Sequence, residues 1–323
     1  MPVNTRVAGK LINTMHDQAI LIRWLTEIGQ ADRESVGGKA AALGEVAKLG
    51  LRTPRGFVVT VDSYKQCLQE LKGEQGAATL TDSTPALSSS SLVAGAVRKA
   101  LARLVANAPW PALAVRSSAV AEDSLTASFA GQFTSFLNVR GYDEVASRIE
   151  QCWASLLDPS VLEYSRRMQV PPESMAMAVL IQRMIPAEIS GVLFTAHPVL
   201  GDPTHFVIEA GWGLGDTVVS GMQTPDTYSI RVDGTHIAIE NEVLEKAGVM
   251  SRWRPESLSI ERVPISQDRQ RARTLTARRL RALTHLGQVI TSHFGVPQDI
   301  EWAWYRGKFY ILQSRPITIR SPR

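Results

Sequence analysis

Near the end of the chain, residues 298–316 read QDIEWAWYRGKFYILQSRP. Apolar and polar residues alternate on both sides of an Arg-Gly pair, which predicts two strands over 299–305 and 308–313 joined by a turn. Asp299 and Glu301 then share one face of the first strand, and Gln313 and Arg315 share one face of the second. If the strands pair as a hairpin, their carboxylate, amide and guanidinium groups converge into the set that a magnesium-bound triphosphate needs. A solvated hairpin face is the alternative interpretation.

A second candidate phosphate site lies near the start of the chain. Gly37-Gly38-Lys39 precedes an Ala/Leu/Val-periodic segment, residues 40–49, which predicts a helix. Backbone amides and a cation at a helix N-terminus favour phosphate. The motif is not a Walker A loop, because Arg33 stands in place of the first glycine and Ala40 in place of the magnesium-binding Ser or Thr. A purely structural turn is the alternative.

Arg116 is a candidate for binding phosphate oxygens. It is expected to end an apolar strand that begins at residue 112, where its guanidinium would project from the strand tip. The planar fork of a guanidinium suits two phosphate oxygens at once. An ion pair between Arg116 and Glu122 or Asp123 explains the same local sequence.

The length and the periodicities predict two lobes. At 323 residues the chain is long enough for about two compact units. Further strands are expected over 19–25, 57–61, 133–139, 175–182 and 191–195, with helices over 143–157 and 269–291, the second helix being basic and amphipathic. The short segment 184–188 is a candidate connector between the lobes. Without internal repeats, the class is mixed α and β.

The composition excludes several classes of protein. Lys plus Arg number 35 against 31 Asp plus Glu, and 20% of residues are charged while 44% are hydrophobic, which argues against wholesale disorder and against a nucleic-acid-binding arm. Two cysteines provide neither a disulfide framework nor zinc-ligand spacing. No apolar stretch approaches the ~20 residues that cross a bilayer. We therefore predict a cytoplasmic protein that binds neither membrane nor nucleic acid.

Taken together, these motifs resemble the ATP-binding domain of the phosphoenolpyruvate synthase and pyruvate phosphate dikinase family, which includes rifamycin phosphotransferase and phenylphosphate synthase. The resemblance runs from about Ile20 to Thr318. Six groups of motifs occur in the family's order: VGGKAA (36–41) with PRGF (54–57), AVRSS (114–118) with AED (121–123), SFAGQ (128–132), SGVLFT (190–195), GLG (213–215) with PD (225–226), and QDIEW (298–302) with LQSRP (312–316).

The resemblance implies an α+β, two-lobed ATP-grasp fold with the nucleotide in a cleft between the lobes, which we expect at 1–181 and 182–323. It also implies a role for nine positions. Lys39 and Arg116 would hold the triphosphate, Gly131 and Ser135 would belong to a glycine loop over it, Gln182 and Met184 would border the adenine, Glu301 and Gln313 would ligate Mg2+, and Arg315 would neutralise charge on the transferred phosphoryl group. Arg315, Lys39 and Arg116 are thus the expected catalytic residues.

Four other features differ from the patterns they resemble. His197 stands where relatives commonly have Asn or Asp, and Asp216 stands where they commonly have Glu. The stretch Gly211-Trp212-Gly213-Leu214-Gly215 has its third glycine one residue too early for a dinucleotide fingerprint, so we expect a tight loop near the site or simple turn packing. His293, in Thr-Ser-His, lacks the preceding Gly-Gly of a phosphohistidine carrier and is expected at a helix end.

The resemblance also implies partners. Relatives carry a swivelling phosphohistidine domain and an acceptor-binding domain, which this sequence lacks, so we expect both on a partner protein or domain. The expected function is phosphorylation of that histidine, with ATP converted to AMP and phosphate, for onward transfer to pyruvate, a phenol or a rifamycin-like acceptor. A non-catalytic ATP-binding regulatory module is the alternative, and retention of Glu301, Gln313 and Arg315 argues against it.

Overall fold

The computed structural model describes residues 20–75, 85–106, 112–120, 135–167 and 176–317. Its first half forms an antiparallel five-stranded sheet in the order β1-β2-β5-β3-β4. The strands are β1 (Ile22–Trp24), β2 (Gly56–Val59), β3 (Leu113–Ala119), β4 (Ser135–Val139) and β5 (Met177–Arg183), and the helices of this half are α1 (Arg33–Lys48), α2 (Val61–Gln75), α3 (Ser91–Val105), α4 (Gly141–Ala154) and α5 (Pro159–Arg167). The central strand β5 is apolar and almost wholly buried, as expected for a strand with both faces covered.

The second half forms an antiparallel six-stranded sheet in the order β10-β9-β7-β6-β13-β14, with a three-stranded sheet β12-β11-β8 beside it. Its strands are β6 (Ile189–Phe194), β7 (His205–Trp212), β8 (Gln223–Thr224), β9 (Asp226–Asp233), β10 (His236–Val243), β11 (Ala247–Arg254), β12 (Ser259–Pro264), β13 (Gln298–Tyr305) and β14 (Lys308–Pro316), and its helices are α6 (Asp216–Val219), α7 (Gln267–Arg271) and α8 (Ala277–Phe294). The expected α+β fold is confirmed.

The predicted hairpin at the end of the chain is confirmed. Asp299 pairs with Arg315 and Glu301 pairs with Gln313, and a bulge follows Glu301. Directly opposed residues of an antiparallel pair project to the same face. The four polar side chains predicted to converge therefore share one face of β13 and β14.

The predicted helix over 269–291 is wrong in its first third. The chain forms α7, leaves the helical conformation after Arg271, and begins α8 only at Ala277. In the break, the backbone N–H and the hydroxyl of Thr274 both donate to the buried Asp226 carboxylate, at 3.0 and 2.9 Å. The Thr276 hydroxyl then caps α8 by accepting from the Arg279 amide. These contacts with a distant strand override the helical periodicity.

The change from the first sheet to the second occurs at residues 184–188. All of β5 pairs within the first sheet, including Gln182 with Gly56 and Arg183 with Leu113. The predicted boundary between residues 181 and 182 falls inside this strand, and the division into lobes at that point stays a prediction. None of the helices in the described ranges has the length and apolar character needed to cross a bilayer.

Candidate functional site

A cavity of about 560 Å³ lies where the first sheet meets the second, and side chains from both line it. Eight of the nine predicted site residues are on its walls: Lys39, Arg116, Ser135, Gln182, Met184, Glu301, Gln313 and Arg315. Gly131, the ninth, lies outside the described residues. A groove beside α8 is larger, at about 640 Å³, but none of the eight lines it. The structure thus brings together residues from five separate segments of the chain, while their individual roles stay predictions.

Lys39 reaches the cavity through a break in α1. Gly37 has φ 76° and ψ 167°, a conformation that only glycine adopts readily. A Cβ at Gly37 would lie 2.0 Å from the Ser118 carbonyl oxygen, and the Ala40 amide donates to the Ser118 hydroxyl at 3.1 Å. The glycine therefore lets α1 approach β3 closely. The motif is therefore a structural turn, as the alternative interpretation had it. The same close approach also carries Lys39 to the cavity wall, as a phosphate site requires.

Arg116 lies in the middle of β3, not at the strand end that the sequence predicted. Its guanidinium bridges the two sheets, donating to Glu301 Oε2 at 2.8 Å and to the Leu312 carbonyl at 3.0 Å. The local partners considered from the sequence, Glu122 and Asp123, lie outside the described residues. On the neighbouring strand Arg116 is opposite Ser135.

The paired strands β13 and β14 supply the polar end of the cavity. The Arg315 guanidinium donates two hydrogen bonds to Asp299 Oδ2, at 2.9 and 2.7 Å. Burial acts to raise the pKa of Glu301, but the positive charges of Arg116, Lys39 and Arg315 outweigh it and hold that pKa below its ordinary value. Glu301 is therefore an ionised carboxylate at neutral pH, surrounded by cations.

The donor set suits a magnesium ion that arrives with a nucleotide. Glu301 and Gln313 offer hard oxygen atoms from opposed positions of the hairpin. Within the described ranges, no three His, Cys, Asp or Glu side chains are grouped as a metal cage. Protein-bound Mg2+ commonly uses one or two carboxylates together with phosphate oxygens, so a complete protein cage is not required.

Apolar side chains also line the cavity, together with one amide that has no partner among the described residues. Met184, Ile185, Ala187 and Leu214 line it. Gln182 is 2% exposed, and its Nε2 has no hydrogen-bond partner among the described residues. A buried donor without a partner costs about 1–3 kcal/mol, so a flat ligand with an acceptor atom would be favoured there.

Asp216, to which the sequence assigned no role, also lines the cavity. Its Oδ2 accepts from the Ser251 hydroxyl at 2.8 Å, while the buried Oδ1 has no partner among the described residues. It follows the predicted tight loop, where Gly213 has φ 84° and its carbonyl accepts from the Ser190 hydroxyl at 2.7 Å. The sequence signal for Asp216 was its position, a carboxylate directly after this glycine turn.

Glu209 was not predicted from the sequence. It lies on β7 in an otherwise apolar strand, and burial together with the nearby charge of Asp299 raises its pKa. A single acidic residue within FVIEAGW was the sequence signal.

His293 lies at the end of α8 as predicted, where Nε2 is 3.0 Å from Glu45 Oε2, and it is not among the residues lining the cavity.

Comparisons with known proteins agree on one family. The family described as the pyruvate phosphate dikinase AMP/ATP-binding domain matches residues 33–323. A probable phosphoenolpyruvate synthase of Methanocaldococcus jannaschii is 33% identical over 335 residues, covering 95% of this chain and 27% of that protein. A rifampicin phosphotransferase of a Streptomyces species is 38% identical over 321 residues, covering 92% and 36%. The chain therefore spans roughly a quarter to a third of the length of these relatives.

Among solved structures, D-alanine–D-alanine ligase from Bacillus anthracis aligns over 98% of this chain and 75% of its own, at 11% identity and a TM-score of 0.35. A likeness of that size supports no conclusion about function.

Proposed function

This chain belongs to the family of pyruvate phosphate dikinase AMP/ATP-binding domains, and from that premise we propose that it binds magnesium-ATP in the cleft and phosphorylates a histidine on a partner domain or subunit. The observation that supports the proposal most is the convergence of eight predicted residues on one cavity. The cavity lining combines apolar and cationic side chains, as a nucleotide combines a base with a triphosphate.

The triphosphate would be held by Lys39, Arg116 and Arg315, whose positive charges all act on Glu301. Arginine forks bind two phosphate oxygens at once, and charge-assisted hydrogen bonds are among the strongest in proteins. Arg315 is oriented by Asp299 through two donors, which fixes its guanidinium plane before any ligand arrives. An oriented cation stabilises charge on the transferred phosphoryl group without reorganising during the reaction.

Glu301 and Gln313 would hold the magnesium ion. When bound, the ion supplies charge neutralisation of the phosphate oxygens. Glu301 contributes a permanent negative charge, because the surrounding cations keep its pKa low. Gln182, whose Nε2 has no partner among the described residues, would donate a hydrogen bond to the base, and Met184 would border it.

The nucleophile would come from elsewhere. Phosphoryl transfer needs a nucleophile aligned with phosphorus, and the sequence has no histidine in the context of a carrier. The proposed reaction forms an N–P bond on the partner's histidine and breaks both phosphoanhydride bonds of ATP, one of them by reaction with a water molecule, so that AMP and phosphate are released. Onward transfer would go to pyruvate, a phenol or a rifamycin-like acceptor, a choice that the acceptor-binding partner makes.

Labelled ATP tests the proposal. The chain alone should bind ATP and hydrolyse it slowly at most. Addition of the histidine-bearing partner should yield acid-labile phosphohistidine on that partner, together with AMP. Nucleotide binding without AMP or label in the presence of the partner would instead favour the non-catalytic regulatory module, and stable label on His293 of the chain alone would show that the wrong histidine was dismissed.

A further inference from the structure

A second concave site, the groove beside α8, lies on the face of the last hairpin that points away from the nucleotide cavity. Trp304 is three positions from Glu301 on β13, so the two side chains project from opposite faces, and Phe309 shares the face of Trp304 because the two residues are opposed. The groove has a volume of about 640 Å³ and is bounded by this face, by the first turns of α8 and by residues 50–52. Both halves of the chain therefore contribute to it.

All the charged side chains that line the groove are basic. They are Arg52, Arg278, Arg279 and Lys308, which come from the loop after α1, from α8 and from β14. No Asp or Glu is among the described residues that line the groove, and the ion pairs within the described part of the chain include none of the four cations. Because these positive charges repel one another, an anion that enters the groove is attracted by all of them.

The start of α8 adds to this attraction. Arg278 and Arg279 lie in its first turn, where the helix dipole is positive and acidic side chains are normally favoured, yet this turn contains no acidic residue. The first amides of a helix also lack acceptors within the helix. The Arg279 guanidinium carbon lies 4.4 Å from the centroid of the Trp304 ring, a cation–π contact that orients this side chain before any ligand arrives.

The groove also has an apolar wall. Leu51, Ala282, Leu286 and Phe309 line it beside the cations. A hydrated inorganic ion would leave this wall in contact with water, whereas the carbon skeleton of an organic anion would cover it and gain the free energy of apolar burial. Sites for small organic molecules have volumes of about 300–1,000 Å³, and the groove falls within that range.

We propose that the groove beside α8 is a binding site for a small organic phosphate, separate from the nucleotide cavity. Arg278, Arg279 and Lys308 would hold the phosphate oxygens, since guanidinium groups and ammonium groups form charge-assisted hydrogen bonds with phosphate. The carbon skeleton would lie against Leu286 and Phe309. This inference goes beyond the proposed function and does not depend on it.

Two double variants that remove the same amount of charge test the site. Arg278→Ala/Lys308→Ala removes two cations from the groove, whereas Lys65→Ala/Lys99→Ala removes two cations from α2 and α3, which do not line it. All four side chains are exposed, so both variants should fold as wild type does, which thermal unfolding checks.

The probe is naphthyl phosphate, in which an aromatic ring carries one phosphate group. Equilibrium dialysis measures its binding in the presence of magnesium and a saturating non-hydrolysable ATP analogue, which occupies the nucleotide cavity. Inorganic phosphate, which lacks the ring, and naphthol, which lacks the phosphate, are measured in the same way.

We expect wild type to bind naphthyl phosphate while the cavity is filled, and the Arg278→Ala/Lys308→Ala variant to bind it at least fivefold more weakly because two charge-assisted contacts are lost. The Lys65→Ala/Lys99→Ala variant should bind it as wild type does, and inorganic phosphate and naphthol should each bind wild type more weakly than the ester.

Absence of binding while the cavity is filled, or equal weakening in both double variants, would overturn the proposal. Equal affinity for the ester and for either inorganic phosphate or naphthol would overturn the assignment to an organic phosphate. If the ATP analogue itself did not bind, the proposed function would fail, and the comparison of the two double variants would still decide this inference.

Discussion

Arg116 connects the first sheet to the polar strands of the second. Its guanidinium donates to Glu301, which lies 185 positions later in the chain. We expect Arg116→Ala to weaken ATP binding roughly 10- to 100-fold, because it removes charge-assisted hydrogen bonds of about 1.5–3 kcal/mol. Lys39→Ala should weaken it in the same direction. Calorimetric titration with magnesium-ATP measures both. Arg231→Ala, which alters an exposed arginine on β9, is the control, and wild-type affinity in both cavity variants would contradict the assignment.

A substitution at Glu301 should affect metal binding much more than it affects folding stability. Glu301→Gln keeps the size and hydrogen bonding of the side chain but removes the anionic oxygen ligand. Phosphoryl transfer at limiting magnesium should fall at least tenfold, whereas the free energy of unfolding should change by less than about 1 kcal/mol because the pair with Arg116 is partly exposed. Transfer assays across a magnesium series and urea unfolding supply the two readouts. Glu261→Gln, in an exposed ion pair on β12, is the matched control, and wild-type transfer at low magnesium would place the metal elsewhere.

The same carboxylate predicts a pH dependence. The pKa of Glu301 is lowered from 4.5 in the folded protein. A lowered pKa contributes stability that is present above the unfolded value and is lost as pH falls through the folded value. The difference in unfolding free energy between wild type and Glu301→Gln should therefore shrink as pH is lowered below about 4.5. Urea unfolding of both proteins from pH 7 to pH 3 measures this, and a constant difference would argue against the low pKa.

At the scale of elements, the break in α1 depends on one glycine. Gly37→Ala would place a Cβ against the Ser118 carbonyl, whereas Gly50→Ala, at a similar φ of 75°, meets nothing within 4 Å. We expect Gly50→Ala to cost about 1–2 kcal/mol of unfolding free energy for its positive φ, and Gly37→Ala to cost roughly 1–3 kcal/mol more because the helix must shift. Equal losses in urea unfolding would show that the close approach of α1 to β3 is unimportant.

The break between α7 and α8 depends on a buried ion pair. Lys246 Nζ lies 2.5 Å from Asp226 Oδ1, both side chains are fully buried, and Thr274 uses the other Asp226 oxygen. Lys246→Met would leave a buried carboxylate without its counter-ion, at a cost of about 3–5 kcal/mol. Arg273→Ala, in an exposed pair with Glu242, should cost less than about 1 kcal/mol. Comparable denaturation midpoints for the two variants would refute a stabilising role for the pair.

At the scale of the whole molecule, the cavity exists only because two sheets meet. Lys39, Arg116 and Gln182 belong to elements of the first half, and Glu301, Gln313 and Arg315 belong to the last hairpin. The buried core is correspondingly continuous across the halves, since Phe57 and Val179 belong to the same apolar cluster as Trp302 and Ile208. A ligand between the sheets would therefore contact both halves at once.

The sequence by itself determined the features that depend on neighbours along the chain. Alternation with period two and a short Arg-Gly turn predict the hairpin, and they place Asp299 with Glu301 on one face of the first strand and Gln313 with Arg315 on one face of the second. The bulge after Glu301 decides the pairs Asp299–Arg315 and Glu301–Gln313, because without it the turn would oppose Glu301 to Leu312. The family resemblance likewise identified eight of the residues that line one cavity.

Only the tertiary structure decided which elements meet. The partner of Arg116 is Glu301, not a nearby acid, and the helix over 269–291 is interrupted because Thr274 bonds to Asp226 on a distant strand. The partial burial of Glu209, and the Asp216 oxygen that has no partner among the described residues, were equally hidden from the sequence. The physical reason is that periodicity reports which face of an element is apolar, whereas the energy of a buried polar contact depends on groups that the folded chain brings from far away in sequence.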